Sequence, residues 1–504
     1  MMAAPASSPG LTLATLLERA LPLELDVPVT GVALDSRRVR PGDAFLALAG
    51  TRCHGLAHAA EAVARGAVAV LYEPAPGIGG GETECGVPCL AVPGLRARAG
   101  ALAARLLGEP AAALWTLGVT GTDGKTSCAW FMARALEAAG VRCGLVGTLG
   151  AGFPGRLQDQ AHTTPDPVRL QQLLAAFRDQ GAAAVAMEVS SHALDQQRVD
   201  AARIDVAVFT NLGRDHLDYH RTPDAYAAAK ARLFALPTVR HRVVNLDDPF
   251  GRELAARHAG RGILAYGKSE AVVRRGNVGW VRILAVEPTP TGLELVLDTP
   301  PGELRFTSGL LGDFQAWNLA AVAGVLMLRG IEAPAQLAEL LAGLHTVPGR
   351  MEAFPVPGGP LLVVDYAHTP QALAAALRAL RRHVPGRLWC VFGAGGERDV
   401  GKRPEMGAAA ARLADRVLLT SDNPRGEDPL AILAQIRGGM PEGFPVAIEP
   451  DRETAIRRAA AEAGAGDAVL IAGKGHEGTQ EIAGERRPFS DRALARALAE
   501  EGRS

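Results

Sequence analysis

Short apolar runs alternate with amphipathic stretches along most of this chain, and the alternation predicts an α/β protein. In the last third, four apolar runs have the length of buried strands: 361–364, 387–392, 416–420 and 468–471. Four stretches with helical apolar spacing lie between them: 371–382, 406–414, 431–437 and 453–463. This order predicts a mostly parallel sheet with helices on both faces.

The middle of the chain shows the same alternation around a glycine-rich loop. The apolar run 111–119 predicts a buried strand that enters the loop, and Cys128–Ala139 predicts a helix that leaves it and stops at Gly140. Further strands are predicted over 182–187, 204–209 and 241–244, and helices over 223–236 and from Pro167 onward.

Residues 1–95 predict a smaller α/β unit. Its predicted helices cover 11–21 and 58–64, and its predicted strands cover 29–34, 44–48 and 68–71, with a glycine-rich loop over 74–86. Asp35-Ser36-Arg37 follows the first of these strands, and its spacing alone favours a capped turn over a binding site.

The loop Gly121-Thr122-Asp123-Gly124-Lys125-Thr126-Ser127 predicts a nucleotide site. A strand, a glycine loop and a helix in this order direct backbone N–H groups and a helix N-terminus at phosphate. Lys125 would reach the β- and γ-phosphates, and the Thr126 hydroxyl would bind Mg²⁺. The strict phosphate-loop spacing fails at one residue, because Val119 stands where glycine would be required.

These patterns predict three α/β domains, with a Pro-Gly hinge at Val347–Arg350. We expect a small N-terminal α/β domain over 1–95, a central P-loop-type ATPase domain with a largely parallel sheet over 96–344, and a C-terminal Rossmann-like α/β domain over 345–504. The Gly393–Gly396 stretch does not fit the dinucleotide fingerprint, so we expect no redox cofactor.

Composition excludes several classes of protein. The net charge of −1 gives no electrostatic case for binding nucleic acid or an anionic membrane. No apolar stretch approaches the ~18 residues of a membrane span, and the N-terminus lacks the pattern of a signal peptide. The six cysteines do not form the paired doublets of a zinc site. We therefore expect a cytoplasmic protein with reduced thiols.

Lysine is rare, with five residues beside 48 arginines. Lysine differs from arginine because its amine can lose a proton, so a functional role is favoured where lysine occurs within a motif. Lys125, Lys230 and Lys474 lie in such stretches, although a solvated helix lysine is the alternative for Lys230. Lys268 and Lys402 are expected at the surface.

Acidic residues and histidines follow two predicted strands of the middle region. Glu188 ends one strand and precedes Ser190-Ser191-His192, and Asp215-His216 follows the next. An acidic residue at this edge of a phosphate-loop sheet can hold Mg²⁺, although a lone Glu is usually an ordinary loop residue. Zinc is the alternative for the His and Asp cluster, but no cysteine lies near it.

Together the motifs resemble the Mur ligase family over essentially the whole chain. They occur in the family's order: Gly121–Thr126, Thr163-Thr164-Pro165, Glu188–His192, Asp215–Asp218, Lys230, Asp365–Pro370 and Gly473–Glu477. Within the family, Asp422-Asn423-Pro424-Arg425 resembles the diaminopimelate-adding branch. Three positions depart from the family pattern: Asp123 and Gln315 stand where Asn is usual, and Ala193 stands where Gly is usual.

The resemblance implies an ATP-dependent amide ligase of peptidoglycan precursor synthesis. ATP would phosphorylate the D-Glu γ-carboxyl of UDP-N-acetylmuramoyl-L-Ala-D-Glu, and an amine of meso-2,6-diaminopimelate would attack the acyl phosphate. The implied cofactors are ATP, Mg²⁺ and a CO₂-derived carbamate on Lys230. The expected partners are these small molecules, without nucleic acid or a membrane span, and the chain is expected to act as a monomer.

The resemblance also assigns site residues, one group at a time. The catalytic group is Lys125, Lys230, His216 and Glu188. Mg²⁺ would be held by Thr126, Glu188, His216 and Lys230 as its carbamate. ATP would be held by Gly121, Thr122, Asp123, Gly124, Lys125, Thr126, Ser127, Asn245, Asp248, Asn318 and Arg350. The UDP-sugar would be held by Leu34, Ser36, Thr51, Arg52 and Cys53. The muramoyl-dipeptide would be held by Thr163, Thr164, Ser190, Gln196 and Arg198. The amino acid would be held by Arg398, Asp422, Asn423, Pro424, Arg425, Gly473 and Glu477.

Charge matching then predicts which amino acid is used. Arg425 would meet the distal carboxylate of diaminopimelate as a bidentate fork, and Glu477 would meet its ammonium. L-Lysine lacks that carboxylate and would leave Arg425 unpaired, a mismatch that can discriminate by ~10⁴ or more. Three alternatives stay open: the same reaction with L-lysine, a folylpolyglutamate synthase-like ligase, and a P-loop regulatory module that ligates nothing.

Overall fold

Apolar runs form strands and amphipathic stretches form helices in the computed structural model, which describes residues 10–50, 53–78 and 86–501. The chain forms two compact units. The first comprises Met1–Val281 and Ala321–Gly330, and the second comprises Arg282–Ala320 and Ile331–Ser504. The mixed α/β class with parallel sheets that the sequence predicts is confirmed, whereas the three domain boundaries stay a prediction.

The N-terminal part of the first unit is a four-stranded parallel sheet, in the order β3-β4-β5-β6, beside a two-stranded antiparallel pair, β1-β2. Its elements are β1 (Leu11–Thr12), α1 (Leu13–Leu17), β2 (Pro28–Val29), β3 (Gly31–Ala33), β4 (Asp43–Ala47), α2 (Ala59–Ala64), β5 (Ala69–Tyr72), β6 (Cys89–Ala91) and α3 (Leu95–Leu106). The predicted helix over 11–21 is shorter than expected, because Thr12 caps its start and Glu18 takes a left-handed conformation at its end.

A second sheet in this unit carries the glycine loop, in the order β10-β9-β8-β11-β7-β12-β13-β14. Its elements are β7 (Trp115–Thr120), α4 (Lys125–Ala138), β8 (Cys143–Gly147), β9 (Gly150–Phe153), β10 (Arg156–Gln158), α5 (Pro167–Asp179), β11 (Ala184–Glu188), α6 (Ser191–Asp195), β12 (Val206–Phe209), α7 (Leu217–His220), α8 (Pro223–Ala235), β13 (His241–Asn245), α9 (Pro249–Arg257), β14 (Ile263–Gly267) and α10 (Ala271–Arg275). The strands β8, β11, β7, β12, β13 and β14 run parallel to one another, so their carboxyl ends share one edge, whereas β9 pairs antiparallel with β8.

Two predicted boundaries around the loop are wrong. The strand begins at Trp115 and not at residue 111, because Pro110 starts a 3₁₀ turn over Pro110–Ala113. The helix begins at Lys125, three residues before the predicted start. The loop lysine therefore lies in the first helical turn.

The second unit contains an antiparallel segment and a six-stranded sheet in the order β18-β19-β23-β20-β21-β22. The elements from residue 279 onward are β15 (Gly279–Thr289), β16 (Gly292–Thr299), β17 (Gly302–Ser308), α11 (Gln315–Leu328), α12 (Pro334–Ala342), β18 (Glu352–Pro355), β19 (Leu361–Asp365), α13 (Pro370–Arg381), β20 (Leu388–Phe392), α14 (Lys402–Leu413), β21 (Arg416–Leu419), α15 (Pro429–Arg437), β22 (Val446–Ile448), α16 (Arg452–Glu462), β23 (Ala468–Ala472), β24 (Thr479–Ile482), β25 (Glu485–Pro488) and α17 (Asp491–Glu501). The start of β15, up to Val281, and the end of α11, from Ala321, belong to the first unit.

Separate apolar clusters cover the two faces of the six-stranded sheet, as the predicted alternation requires. All four predicted strands and all four predicted helices form here within a few residues of the expected bounds. The hairpins β15–β17 and β24–β25 were not predicted, since their short alternating patterns are weaker signals than continuous apolar runs. No helix among the described residues combines the length and apolarity needed to cross a bilayer.

Candidate active site

The glycine loop joins β7 to α4 at the carboxyl edge of the sheet. At Gly121 a Cβ atom would lie 1.8 Å from the Thr210 hydroxyl, so only glycine fits at this crossing. Gly124 is the N-cap of α4 and supplies no side-chain cap, whereas Asp166 and Thr222 cap α5 and α8. A helix start that lacks a side-chain cap beside a glycine loop fits a bound phosphate.

Two loop side chains face the edge of the sheet that the sequence predicts. Lys125 Nζ donates to the carbonyl oxygens of Gly121 at 2.9 Å and Thr122 at 2.7 Å. The Thr126 hydroxyl donates to Glu188 Oε2 at 2.8 Å. The structure therefore brings the glycine loop and the acidic end of β11 together.

Glu188 is buried, with 2% of its surface exposed. Thr148, which directly follows β8, donates from its backbone N–H to Glu188 Oε1 at 2.7 Å and from its hydroxyl to Oε2 at 3.2 Å. Hydroxyl and carboxylate oxygens are the hard donors that Mg²⁺ prefers, so these residues fit the expected ion. Sequence reasoning missed Thr148, although its position after a neighbouring strand of the same sheet could have indicated it.

Lys230 is buried, so the alternative of a solvated helix lysine is wrong. Its Nζ donates to the Gly121 carbonyl oxygen at 2.7 Å and lies 4.3 Å from the centre of the Tyr226 ring. Burial, with a smaller contribution from the charge of Lys125, lowers the pKa of Lys230 to about 6. A large part of the amine is therefore neutral near pH 7, the form that can react with CO₂.

His216 is the N-cap residue of α7 and has a left-handed conformation with φ of 51°. Its Nε2 lies 3.3 Å from Asp215 Oδ2, and its ring meets the ring of His192 edge-on at 4.8 Å between centres. Within the described residues no group of three or more His, Cys, Asp and Glu is arranged so that it could hold a metal ion. The joint role of Glu188, His216 and Lys230 at Mg²⁺ stays a prediction.

The residues expected at the muramoyl-dipeptide form one hydrogen-bonded group beside Glu188. Thr164 donates from its hydroxyl to the Glu188 carbonyl oxygen at 2.8 Å and accepts from the backbone N–H of Ser190 at 3.1 Å. Arg198 donates to the Thr164 carbonyl oxygen at 2.8 Å and to Gln196 Oε1 at 2.7 Å. Thr163, the remaining member, lies 3.2 Å from the Thr148 hydroxyl.

The residues expected at adenosine divide between the two units. In the first unit, Asn245 donates from Nδ2 to the Thr210 carbonyl oxygen at 2.8 Å, and Asp248 caps α9 while accepting from the Leu212 N–H at 2.8 Å. In the second unit, Asn318 donates to Gln315 Oε1 at 2.8 Å, and the Arg350 guanidinium lies 4.6 Å from the centre of the Tyr366 ring.

The N-terminal sheet carries the residues expected at the UDP-sugar. Leu34 and Ser36 follow β3, and the Ser36 hydroxyl donates to Glu61 Oε2 at 2.7 Å. Asp35 caps the short 3₁₀ turn Ser36–Arg38, so the capped turn that the spacing favours is present. Cys53 is exposed, with its Sγ 3.6 Å from His58 Nε2. Thr51 and Arg52 lie outside the described residues.

The expected amino-acid pocket collects loops from the carboxyl edge of the six-stranded sheet. Asp422 is buried after β21, and at Gly473, after β23, a Cβ atom would lie 2.3 Å from Asp422 Oδ2. Burial raises the pKa of Asp422. Glycine at position 473 therefore allows the two loops to approach each other.

Neighbouring loops of this edge contribute the remaining pocket residues. Asn423 Nδ2 donates to Glu477 Oε2 at 2.9 Å. Arg425 pairs with β24 through its backbone, and its guanidinium lies 3.9 Å from Glu481. Pro424 is buried, and Arg398 is exposed on the loop after β20. The structure thus brings Asn423 and Glu477 into contact, while the role of these residues in binding an amino acid stays a prediction.

Two buried arginines support this edge, and sequence reasoning missed both. Arg452 pairs with Asp491 at 2.8 Å and donates to the carbonyl oxygens of Ser421 and Ala472, the residues directly before Asp422 and Gly473. Arg403 donates to both oxygens of Glu427 and to Gln435. Neither arginine belongs to a short motif, so only the fold reveals them.

The two lysines that are expected at the surface differ in exposure. Lys268 is exposed, as expected. Lys402 is half-buried, and its Nζ donates to the His368 carbonyl oxygen at 2.9 Å. Burial lowers the pKa of Lys402.

Three family profiles match the chain: "Mur ligase family, catalytic domain" over 28–105, "Mur ligase middle domain" over 119–326, and "Mur ligase, glutamate ligase domain" over 349–475. They cover, in turn, the N-terminal sheet, the glycine loop with its sheet, and the six-stranded sheet.

Two relatives are similar over nearly the full length, and both are named UDP-N-acetylmuramoyl-L-alanyl-D-glutamate–2,6-diaminopimelate ligase. The protein of Alkalilimnicola ehrlichii is 52% identical over 483 residues, which cover 94% of this chain and 96% of the relative. The protein of Ectopseudomonas mendocina is 50% identical over 478 residues, again 94% and 96%. A solved structure titled as the same ligase is 36% identical, with a TM-score of 0.74 and coverage of 98% and 100%.

The matched ranges include the glycine loop and Lys230, within 119–326, and the loops at Asp422–Arg425 and Gly473, within 349–475. The chain belongs to the Mur ligase family, whose members are ATP-dependent amide ligases.

Proposed function

We propose that this chain joins 2,6-diaminopimelate to the D-Glu γ-carboxyl of UDP-N-acetylmuramoyl-L-Ala-D-Glu, with cleavage of ATP to ADP and phosphate. The observation that carries the proposal is the 52% identity to a relative of that name over 94% of the chain. The glycine loop, the buried lysine and the loops of the six-stranded sheet supply residues of the required chemistry.

Activation of the acceptor would take place beside the glycine loop. A carboxylate is a poor electrophile, so a phosphoryl group must first be attached to it as a leaving group. Lys125 would neutralise charge on the transferred group, and the uncapped start of α4 would hold phosphate oxygens. Catalysis would then depend on positioning, because the attacking carboxylate oxygen must be held in line with the phosphoryl group that it accepts.

Mg²⁺, when bound, would neutralise phosphate charge, and Thr126 with Glu188 would hold it. We propose that Lys230 takes up CO₂ and so becomes an anionic oxygen ligand. Burial beside the Gly121 carbonyl oxygen supports this, since it lowers the pKa of the amine to about 6. Arginine at this position could not form a carbamate.

Thr163, Thr164, Ser190, Gln196 and Arg198 would orient the dipeptide so that its γ-carboxylate faces the phosphoryl group. The hydrogen bonds that link Thr164 to Glu188 and to Arg198 support this assignment. They hold the residues expected at the dipeptide in a fixed position relative to Glu188, which is expected at Mg²⁺. Leu34, Ser36 and Cys53, together with Thr51 and Arg52, would hold the UDP-sugar at the N-terminal sheet.

Selection of the amino acid would rest on opposite charges at the edge of the six-stranded sheet. Diaminopimelate carries a carboxylate and an ammonium at its distal centre, which Arg425 and Glu477 would meet. A folylpolyglutamate synthase-like ligase is the second candidate, and the match of residues 28–105 to a Mur ligase profile disfavours it.

The decisive experiment measures ADP and phosphate release by the purified chain with ATP and Mg²⁺. We expect release only when UDP-N-acetylmuramoyl-L-Ala-D-Glu and diaminopimelate are both present, with one amide formed per ATP. In parallel reactions, L-lysine replaces diaminopimelate and a folate replaces the UDP-linked acceptor. Equal ATP cleavage without acceptor and amine, or no amide with all three substrates, would overturn the proposal.

A further inference from the structure

Lys474 is a fully buried lysine in the second unit, at the loop that follows β23. An ammonium group has three N–H donors, and all three have acceptors here. Nζ donates to Asn423 Oδ1 at 3.0 Å, to Glu477 Oε2 at 2.9 Å and to the Thr479 carbonyl oxygen at 2.7 Å. The lysine therefore has no donor left for a substrate.

The same contacts orient Glu477. Its Oε2 accepts from both Lys474 Nζ and Asn423 Nδ2, so one carboxylate oxygen is fully engaged within the protein. Among the described residues, none donates a hydrogen bond to Oε1. About a third of the Glu477 side chain is exposed, whereas Lys474 lies wholly beneath it. Oε1 is thus the oxygen available to an incoming ammonium group.

Asn423 closes the arrangement. Its Oδ1 accepts from Lys474 and from the Glu481 backbone N–H at 3.0 Å, while its Nδ2 donates to Glu477. The amide orientation is therefore fixed, because the oxygen must face two donors and the nitrogen must face an acceptor. Lys474 joins the two loops that follow β21 and β23 through side chains that themselves belong to the expected pocket.

From this geometry, and resting on the proposed function, we infer that Lys474 is a positioning residue that holds Glu477 ionised with Oε1 directed to the ammonium of the incoming diamine. It acts through Glu477 and Asn423 without touching the substrate.

Electrostatics at Glu477 agree with this role. Burial works against ionisation, yet the hydrogen bond and charge of Lys474 together with Asn423 lower the pKa of Glu477 below its ordinary value. The other charged or titratable groups that influence or sense this carboxylate are His476, Tyr366, Asp422 and Arg452. The charge of Asp422 opposes the ionisation of Glu477, and the charge of Arg452 favours it. Lys474 is the cation that contacts the carboxylate directly.

Lys474→Met tests the inference, because methionine has a similar length but no donor and no charge. We expect the KM for diaminopimelate to rise about tenfold or more, while the KM values for ATP and for the UDP-linked acceptor stay near those of the wild type. The acid limb of the pH profile of kcat/KM for diaminopimelate should move to higher pH, since Glu477 then binds a proton more readily. Lys268→Met, at an exposed lysine, is the matched control.

Glu477→Gln provides the second half of a double-mutant cycle. If Lys474 acts through the Glu477 charge, Lys474→Met should add little to the KM in the Glu477→Gln background. The double variant also lacks the half-buried carboxylate that Lys474→Met alone leaves without its cation, so it guards against a loss of folding. Lys474→Arg should not restore the wild-type KM, because the longer guanidinium cannot meet the same three acceptors.

An unchanged KM and pH profile in Lys474→Met, or equal rises in KM for all three substrates, would overturn the inference. Wild-type ligation of diaminopimelate in the same assay tests the proposed function separately. Failure of the wild type would refute the reaction itself, whereas failure of the variants to differ would refute only the role of Lys474.

Discussion

The Nζ of Lys230 lies 2.7 Å from the carbonyl oxygen of Gly121, so a lysine from α8 reaches the first glycine of the phosphate loop from inside the fold. The contact places a buried amine at the point where the transferred phosphoryl group is expected. The amine also lies 4.3 Å from the centre of the Tyr226 ring, and Lys230 is buried.

Replacing Lys230 with arginine should abolish ligation. Arginine keeps the positive charge but cannot form a carbamate, so an anionic metal ligand would be replaced by a cation. We expect kcat for amide formation to fall by about 10³ or more, measured by product formation with all three substrates and added bicarbonate. Lys268→Arg is the matched control, and activity of Lys230→Arg within a few-fold of the wild type would contradict the carbamate.

Arg425→Ala should lose most activity toward diaminopimelate. The substitution removes the guanidinium that is expected to pair with the distal carboxylate, and truncating one partner of a charge-assisted pair is costly. The ratio of kcat/KM for diaminopimelate over L-lysine should fall by a similar factor. Arg425→Lys keeps the charge without the bidentate fork, so its kcat/KM for diaminopimelate should lie between the values of the wild type and Arg425→Ala. Near-normal turnover of diaminopimelate by Arg425→Ala would remove this explanation of specificity.

Asp123→Asn should tighten ATP binding. Asp123 is an exposed residue of the phosphate loop, and its carboxylate would repel phosphate across solvent. At low ionic strength we expect the KM for ATP to fall about two- to fivefold, and the difference should shrink as salt is added because exposed charges are screened. The KM for diaminopimelate serves as the internal control. An equal effect at low and high salt would point to a change in loop structure instead.

His383 should make the second unit sensitive to acid. The buried ring uses both nitrogens: Nδ1 lies 2.7 Å from the Thr289 carbonyl oxygen, and Nε2 accepts from the Gly312 N–H at 2.8 Å. This pattern requires the neutral ring, and burial lowers the pKa of His383.

The sign of the effect follows from that shift. The unfolded chain binds the proton near pH 6.5 and the folded chain only at lower pH, so stability is complete above pH 6.5 and is lost as pH falls below it. His383→Gln can make both hydrogen bonds without titrating. We expect the wild type to lose roughly 1 kcal/mol more stability than this variant between pH 7.5 and 5, measured by urea unfolding. Parallel pH curves for the two proteins would refute the prediction.

The sequence by itself determined the α/β class, most strands and helices, and the residues whose chemistry is carried by short motifs. Gly121, Lys125 and Glu188 could be predicted because each lies within a few residues of a strand end, and parallel strands bring such ends to one edge. Lysine scarcity drew attention to Lys230, which is buried in the structure, while its functional role stays a prediction.

Only the tertiary structure decided which groups are in contact and which are buried. Thr148 is 40 residues from Glu188 in the sequence, and Asp491 is 39 residues from Arg452, yet each pair is hydrogen-bonded. Neither pairing leaves a periodic signal, because a hydrogen bond between distant segments depends on how loops converge. The protonation of Lys230 and the orientation of Glu477 likewise follow from burial and from neighbouring donors, which exist only in the folded chain.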